Sequence, residues 1–481
     1  MQATSRTIAK NVSGKLTTPE QTECETYRVV VLGQSGTEVL VVPDGDRFAL
    51  PSVNIPRWQR VAENLTAAVR TDWGEEVVCL FEPDASASTD ATGIRYQATE
   101  HWRVSGNPKM PTQWAPLSSL SHDSLIGSSD YLAIQQSIAR CSAEGKESPA
   151  GPFARLGCFK ELREWVQTVI EPLGFHLDGN VRQLNASPTF SLVRFETNGP
   201  ALWFKAVGEP NQKEFSIACM LAQLFPNYLP GVLATRPEWN GWLTREAPGE
   251  LLCEVQEDAV WHRAATALAR LQIESLDHSA LILGAGARDL GAATLSKLIH
   301  PFTETMAQLM DQQTKVPPAA LGREELLLLG DRIQSALDAL EALGIPETLG
   351  HLDLNPGNII VSPSRCSFLD WVEAYVGNPF FSFQYLLEHL RRTGKADSAV
   401  ETRLIESYCA PWEEVVPPVT VSEALELAPL LAIFAYAAGS NAWENPERSR
   451  EPATAGYLRS LTRRMNREAN QLPDRRSMCL H

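Results

Sequence analysis

Residues 349–371 read LGHLDLNPGNIIVSPSRCSFLDW, a stretch that sets a His, two Asp and two Asn between short apolar runs. Carboxylates enter apolar surroundings at high cost unless they are paired or bind a metal. The stretch is either an ordinary polar turn or a strand–loop–strand unit that gives Asp353, Asn358 and Asp370 a common polar cleft. NIIV and CSFLD read as the two short strands that carry Asn358 and Asp370 there. Pro356-Gly357 bends the backbone between Asp353 and Asn358 so that both side chains can face the same way.

The rest of the chain suits a soluble globular protein. At 481 residues it is too long for one ordinary core, and 44% apolar with 21% charged residues excludes a disordered chain. No run is read as long and apolar enough to span a bilayer, and the first residues lack the apolar core of a secretory signal. The cytoplasm is the expected location. A formal charge of −16 argues against a nucleic-acid partner, which would want a basic face. The nine cysteines are scattered without zinc-ligand spacing, which suits reduced, mostly buried thiols.

CSAEGKESPAGPFARLG (141–157) is small, polar and carries Gly and Pro, so it reads as a linker. Before it, 25–140 alternates strands, a helix over 57–74, further strands and a closing helix; 1–24 reads as untethered. After it, 158–250 is strand-rich with two helices, and 251–470 is mostly helical around the polar stretch; 471–481 is a tail. The fold class expected is α+β, with a small strand-rich lobe followed by a large helical lobe. GAGARDLG (284–291) contains GxG without a preceding strand and reads as a loop.

HLDLNPGN (351–358) fits H-x-D-L-x-x-x-N, the catalytic-loop pattern of protein kinases, with Leu352 where those have Arg. Asp370 follows twelve residues after Asn358. In that chemistry Asp353 accepts or orients a hydroxyl proton, while Asn358 and Asp370 give oxygen ligands to magnesium on nucleotide phosphates. HLDLNPGNII and LDW closely resemble the HGDLHPGNIL and IDW of the aminoglycoside phosphotransferase/choline kinase-like family. The likeness covers about 180–470 in layout. DWVEAYVGNPFFSFQYL (370–386) resembles the family's continuation, but Ser382 and Asn378 stand where it usually has Asp.

The resemblance implies a two-lobed protein-kinase-like fold using Mg2+ and either ATP or GTP. Lys205 in ALWFKAV would pair with phosphates, and Glu214, at the start of the next helix, would hold Lys205. Ser187 and Thr189 would lie in the turn covering the phosphates, which lacks glycine. Arg245 and Glu246 fall in LTREAPG, which resembles the family's hinge. The family builds its acceptor pocket in the helical region, where Trp371, Glu373, His389 and Trp443 are candidates. The partners implied are a nucleotide and a small hydroxyl-bearing acceptor, with a cationic one favoured by the acidic charge.

Segment order in 25–140, with FALPSVNIP and TDWGEEV, resembles a Nudix domain. Aligned on Gly74, however, the box puts Ala67, Ala68, Thr71 and Asp72 where one Arg and three Glu are needed. Pyrophosphate hydrolysis is thus not expected of this block, and a degenerate Nudix-like module for binding or scaffolding is. Two readings of the whole chain stand beside each other: a small-molecule kinase, and a non-catalytic kinase-like nucleotide-binding or regulatory protein. The intact Asp353, Asn358 and Asp370 set favours the first.

Overall fold

The structure is a computed structural model, and it describes residues 24–57, 59–81, 94–106, 109–141, 153–392, 398–440 and 442–472. The expected N-terminal segment and tail lie outside these residues, apart from Cys24 and Gln471–Leu472. The fold is α+β. The chain divides into two compact units, Met1–Phe215 with Gly231–Glu246, and Ser216–Pro230 with Ala247–His481.

In the first unit, strand Cys24–Leu32 lies at the centre of a mixed sheet. Its neighbours are Glu38–Asp44, antiparallel, and Arg95–Val104, parallel. Val29, Val30, Val31 and Leu32 are all fully buried, because this strand is covered on both faces and needs no polar side. Tyr27, Val29 and Val31 pack with Leu65, Val69 and Trp73 of helix Val61–Trp73. Val30 and Leu32 pack on the other side with Leu125 and Ile134, the latter from helix Asp130–Cys141. Gly74 ends the first of these helices at φ 70°, a left-handed cap that favours glycine.

The same unit holds a five-stranded antiparallel sheet in the order Val232–Arg236, Gly241–Arg245, Leu202–Val207, Phe190–Thr197, Leu177–Ala186. Helix Cys158–Ile170 precedes it, and Phe159, Leu162, Val166, Phe195 and Phe204 form its core together with Val78, Phe81 and Phe153. Phe153, inside the segment read as a linker, is fully buried. Gln183 completes the link: its Oε1 accepts the Cys79 amide at 2.7 Å and its Nε2 donates to the Cys79 carbonyl at 3.0 Å. One side chain thus imitates a paired strand residue.

Glu100 is buried where strand Arg95–Val104 meets the start of helix Cys158–Ile170, and it accepts the Gly157 amide at 3.1 Å. Burial pushes its carboxyl up from 4.5 to about 7. The unfolded chain ionises this group first, so Glu100 favours the folded state below pH 4.5. That contribution is lost as pH rises toward about 7. Glu100→Gln should therefore be more stable than the wild type above pH 7, by about 1–3 kcal/mol. Denaturant titrations should show the difference vanishing toward pH 4.5; a constant difference across that range would contradict it.

The second unit is helical. Helix Pro418–Gly439 runs through its core, with Val421, Leu427, Leu430, Leu431 and Phe434 buried. This corrects the sequence reading that no run is long and apolar enough to span a bilayer: this helix is both. A helix apolar all round is either a span or an interior helix, and here most of the apolar stretch is packed inside the unit. A second correction concerns 284–291. Arg288–Leu290 is not loop but a strand, parallel to Ala374–Gly377, which in turn pairs with Thr348–His351. Three residues are too few for periodicity to register, and only the partner strands define it.

Candidate active site

The expected site residues fall into two sets, one in each unit. In the second unit, strand Thr348–His351 delivers the chain to the polar loop, and the loop returns through strands Ile359–Val361 and Cys366–Phe368. Their register, Ile359 opposite Phe368, sets Asn358 across from Leu369, whose amide donates to the Asn358 carbonyl at 2.9 Å. Asp370 is the next residue. It sits at φ 63°, a left-handed conformation that Asp and Asn tolerate better than most residues.

His351 is fully buried and holds the loop from inside. Its Nδ1 accepts the Asp353 amide at 3.1 Å, so the partners assign the proton to Nε2, which donates to the Leu369 carbonyl at 3.0 Å. One neutral imidazole thereby ties Asp353 to the backbone just before Asp370. Asn355 accepts the Gly357 amide at 2.9 Å, and Asn358 Nδ2 donates to the Asp353 carbonyl at 2.9 Å. With its nitrogen fixed on backbone, Asn358 has its carbonyl oxygen turned away from that bond. Burial raises the Asp353 carboxyl above its ordinary range, and the Asp370 charge pushes the same way.

Ser382 carries out a definite task. Its Oγ accepts the His351 amide at 2.8 Å, and it lies 3.0 Å from the Tyr375 hydroxyl, which donates to the Asn378 carbonyl at 2.9 Å. The Ser382 proton then goes to Tyr375, and the buried group is satisfied. A Cβ on Gly350 would stand 2.0 Å from Cζ of Tyr375, so only glycine admits the ring there. Asn378 accepts the Phe380 amide at 3.0 Å and opens helix Phe380–Arg392.

The four acceptor-pocket candidates are all buried. Trp371 donates to the Phe368 carbonyl at 3.2 Å and packs on His351. Glu373 is ion-paired with Arg288, the residue from the strand that sequence reading took for a loop. His389 packs on Tyr385, and burial lowers its imidazole to about 4. Trp443 donates to the Ala438 carbonyl at 2.9 Å and packs edge-on against Phe302. Sequence reading missed Tyr385, whose hydroxyl donates to Asp353 Oδ1 at 3.3 Å. The only signal was its helical spacing from Phe381 and His389, which also suits plain core packing.

In the first unit, Lys205 Nζ lies 2.5 Å from Glu214 Oε1, with Glu214 buried in the first turn of helix Lys213–Leu224. The rings of Phe190 and Trp242 flank the ammonium, each centred 5.8 Å away. Ser187 and Thr189 are 3.0 Å apart at their hydroxyls, and Ser187 also donates to the Phe190 carbonyl. These hydroxyls stitch the turn together. Arg245 is exposed. Glu246 accepts Arg194 Nε at 2.7 Å and Trp203 Nε1 at 3.0 Å, and the Arg194 guanidinium holds it below the usual carboxylate range. Trp203, two residues before Lys205 on the same strand, shares its face and was missed in the sequence.

A carboxylate and an amide oxygen brought out by two paired strands, beside a second carboxylate on a stitched loop, is chemically suited to phosphoryl transfer. Residues 233–416 match the family described as "Phosphotransferase enzyme family". The chain also resembles several solved structures. Macrolide 2'-phosphotransferase MphH from Brachybacterium faecium is 18% identical with a TM-score of 0.41, over 63% of this chain and 98% of that one. Choline kinase from Cryptosporidium parvum Iowa II is 14% identical, TM-score 0.43, over 64% and 96%. The GDP and kanamycin complex of APH(2")-IIia gives 16% and 0.42, over 64% and 99%. No curated protein matches.

Proposed function

We propose that this protein is a magnesium-dependent small-molecule kinase that moves the γ-phosphoryl group of ATP or GTP to a hydroxyl group. Asp353 takes the acceptor's proton as its oxygen forms the new bond to phosphorus and the bond to the departing nucleoside diphosphate breaks. Lys205, held by Glu214, pairs with nucleotide phosphates. The observation that carries this reading is the loop His351–Asn358, in which the Asp353 amide is fixed on His351 and the Asn358 amide nitrogen on the Asp353 carbonyl, so that the two side chains are held together on one loop.

Magnesium fits the donor set: it favours hard oxygen ligands, keeps several waters, and is commonly held by one or two protein oxygens plus phosphates. Asn358 and Asp370 would hold it. Among the described residues no group of three or more His, Cys, Asp or Glu could hold a metal ion, and a two-ligand site of this kind needs none. When bound, the metal would supply the positive charge that neutralises the phosphate oxygens. The chain's own residues orient the acceptor hydroxyl and take its proton, because transfer of this kind is mostly positioning and charge neutralisation.

Amino-bearing acceptors come first, since a chain of net charge −16 attracts cations. The similarity to structures named for choline and kanamycin supplies the first compounds to try. Residues 25–140 would be a degenerate Nudix-like module, 158–250 the nucleotide-holding lobe and 251–470 the helical lobe, in a cytoplasmic protein acting on neither nucleic acid nor membranes. The alternative is a non-catalytic kinase-like nucleotide-binding or regulatory protein; the bond from the His351 amide to Ser382 supports the catalytic reading, because Ser382 still holds the loop. The test is to incubate the full chain with Mg-ATP or Mg-GTP and choline, ethanolamine or kanamycin, following phosphorylated product by mass spectrometry. Product is the expected result. A folded chain that binds neither nucleotide would overturn the reading.

A further inference from the structure

Asp353 Oδ1 receives two donors, Asn355 Nδ2 and the Tyr385 hydroxyl, each at 3.3 Å. They come from different directions in the sequence, one from the loop itself and one from helix Phe380–Arg392. The outer torsion of an aspartate is soft and nearly two-fold, so nothing intrinsic to the side chain decides which oxygen faces the acceptor. Two donors on one oxygen do decide it.

Tyr385 is itself held on a rigid support. Its ring stacks on Tyr436 with centroids 5.9 Å apart and planes 25° apart, and it meets His389 at 5.0 Å. Tyr436 belongs to helix Pro418–Gly439 and accepts the Tyr457 hydroxyl at 3.2 Å, from helix Pro452–Gln471. Three helices therefore fix where the Tyr385 hydroxyl stands. Burial and the neighbouring Asp353 charge both keep the phenol protonated, so it acts as a donor throughout.

We propose that Tyr385 is a positioning residue for the transfer step: it pins Oδ1 of Asp353, so that Oδ2 is the oxygen that takes the acceptor's proton. This rests on the phosphotransferase reading above. The proton passes from the acceptor hydroxyl to Oδ2 while Oδ1 keeps both of its hydrogen bonds. Tyr385 touches neither nucleotide nor metal in this scheme, so its loss should slow the step without weakening nucleotide binding.

Tyr385→Phe keeps the ring and removes the hydroxyl; Tyr385→Leu removes both and serves as the second variant. Each full-length chain is tested for Mg-ATP and Mg-GTP affinity by calorimetry. Transfer is then followed to choline or kanamycin, whichever the wild type phosphorylates, or to water if it phosphorylates neither. The expected result for Phe is a kcat lowered roughly tenfold, the worth of one hydrogen bond to a charged group. Acceptor KM, nucleotide affinity and melting temperature should not move. Leu should match Phe in kcat per folded molecule, since the hydroxyl is what both lack. A Phe variant with wild-type kcat, or one in which kcat and affinities fall together, would overturn the proposal while leaving the phosphotransferase reading intact. A wild type that binds no nucleotide would overturn both.

Discussion

Asp353→Asn lowers phosphoryl transfer by about 10²–10⁴-fold, the usual worth of a positioned general base, and leaves nucleotide affinity nearly unchanged. The substitution is well suited to the site. Asn keeps the size of the side chain and leaves the backbone bonds that hold the loop, the Asp353 amide on His351 and the Asp353 carbonyl on Asn358. Only the ability to take a proton is removed. Because burial already opposes the Asp353 charge, the neutral side chain costs no stability, and the melting temperature should hold or rise. Steady-state kinetics alongside calorimetry checks both halves. Turnover retained in a folded Asn variant would remove Asp353 from the mechanism.

Asp370→Asn should weaken magnesium-dependent nucleotide binding by about tenfold to a hundredfold or more, since even residues that only support metal ligands are worth that much. Asn is a cleaner choice than Ala here. Residue 370 stands at φ 63°, where Asn is tolerated and Ala is strained, so an Ala variant would mix a folding defect with a binding one. Calorimetry with and without magnesium separates the two ligand contributions: the magnesium-dependent part should fall and the metal-free part remain. Equal binding by both chains would exclude Asp370 as a metal ligand.

The polar loop was legible in the sequence because its logic is local. Pro356-Gly357 bends the chain, the Asn355 and Asn358 side chains bond within two to five residues, and NIIV and CSFLD announce the two strands by composition. Lys205 and Glu214 were legible for a similar reason, nine residues apart across a strand-to-helix turn. The first block's central strand could be read from its uninterrupted apolar run. None of these needed knowledge of distant partners.

Other features depended on parts of the chain far apart in sequence. Ser382 looked like the loss of an acid, yet it meets the His351 amide from 31 residues away. Arg288 looked like loop, and it becomes a strand residue paired with Glu373 across 85 residues. Tyr385 looked like one more aromatic on a helix until Asp353 came to its hydroxyl from 32 residues away. Gln183, unremarked in the sequence, closes on Cys79 across 104 residues.

The sequence by itself determined the functional groups on offer: two carboxylates and an amide on one short stretch, and a lysine–glutamate pair, each set by residue type and short spacing. The tertiary structure alone decided which polar groups are satisfied and which side chains support them. A hydrogen bond depends on distance and direction in space, and a chain of 481 residues brings together groups whose spacing along it carries no trace of their meeting.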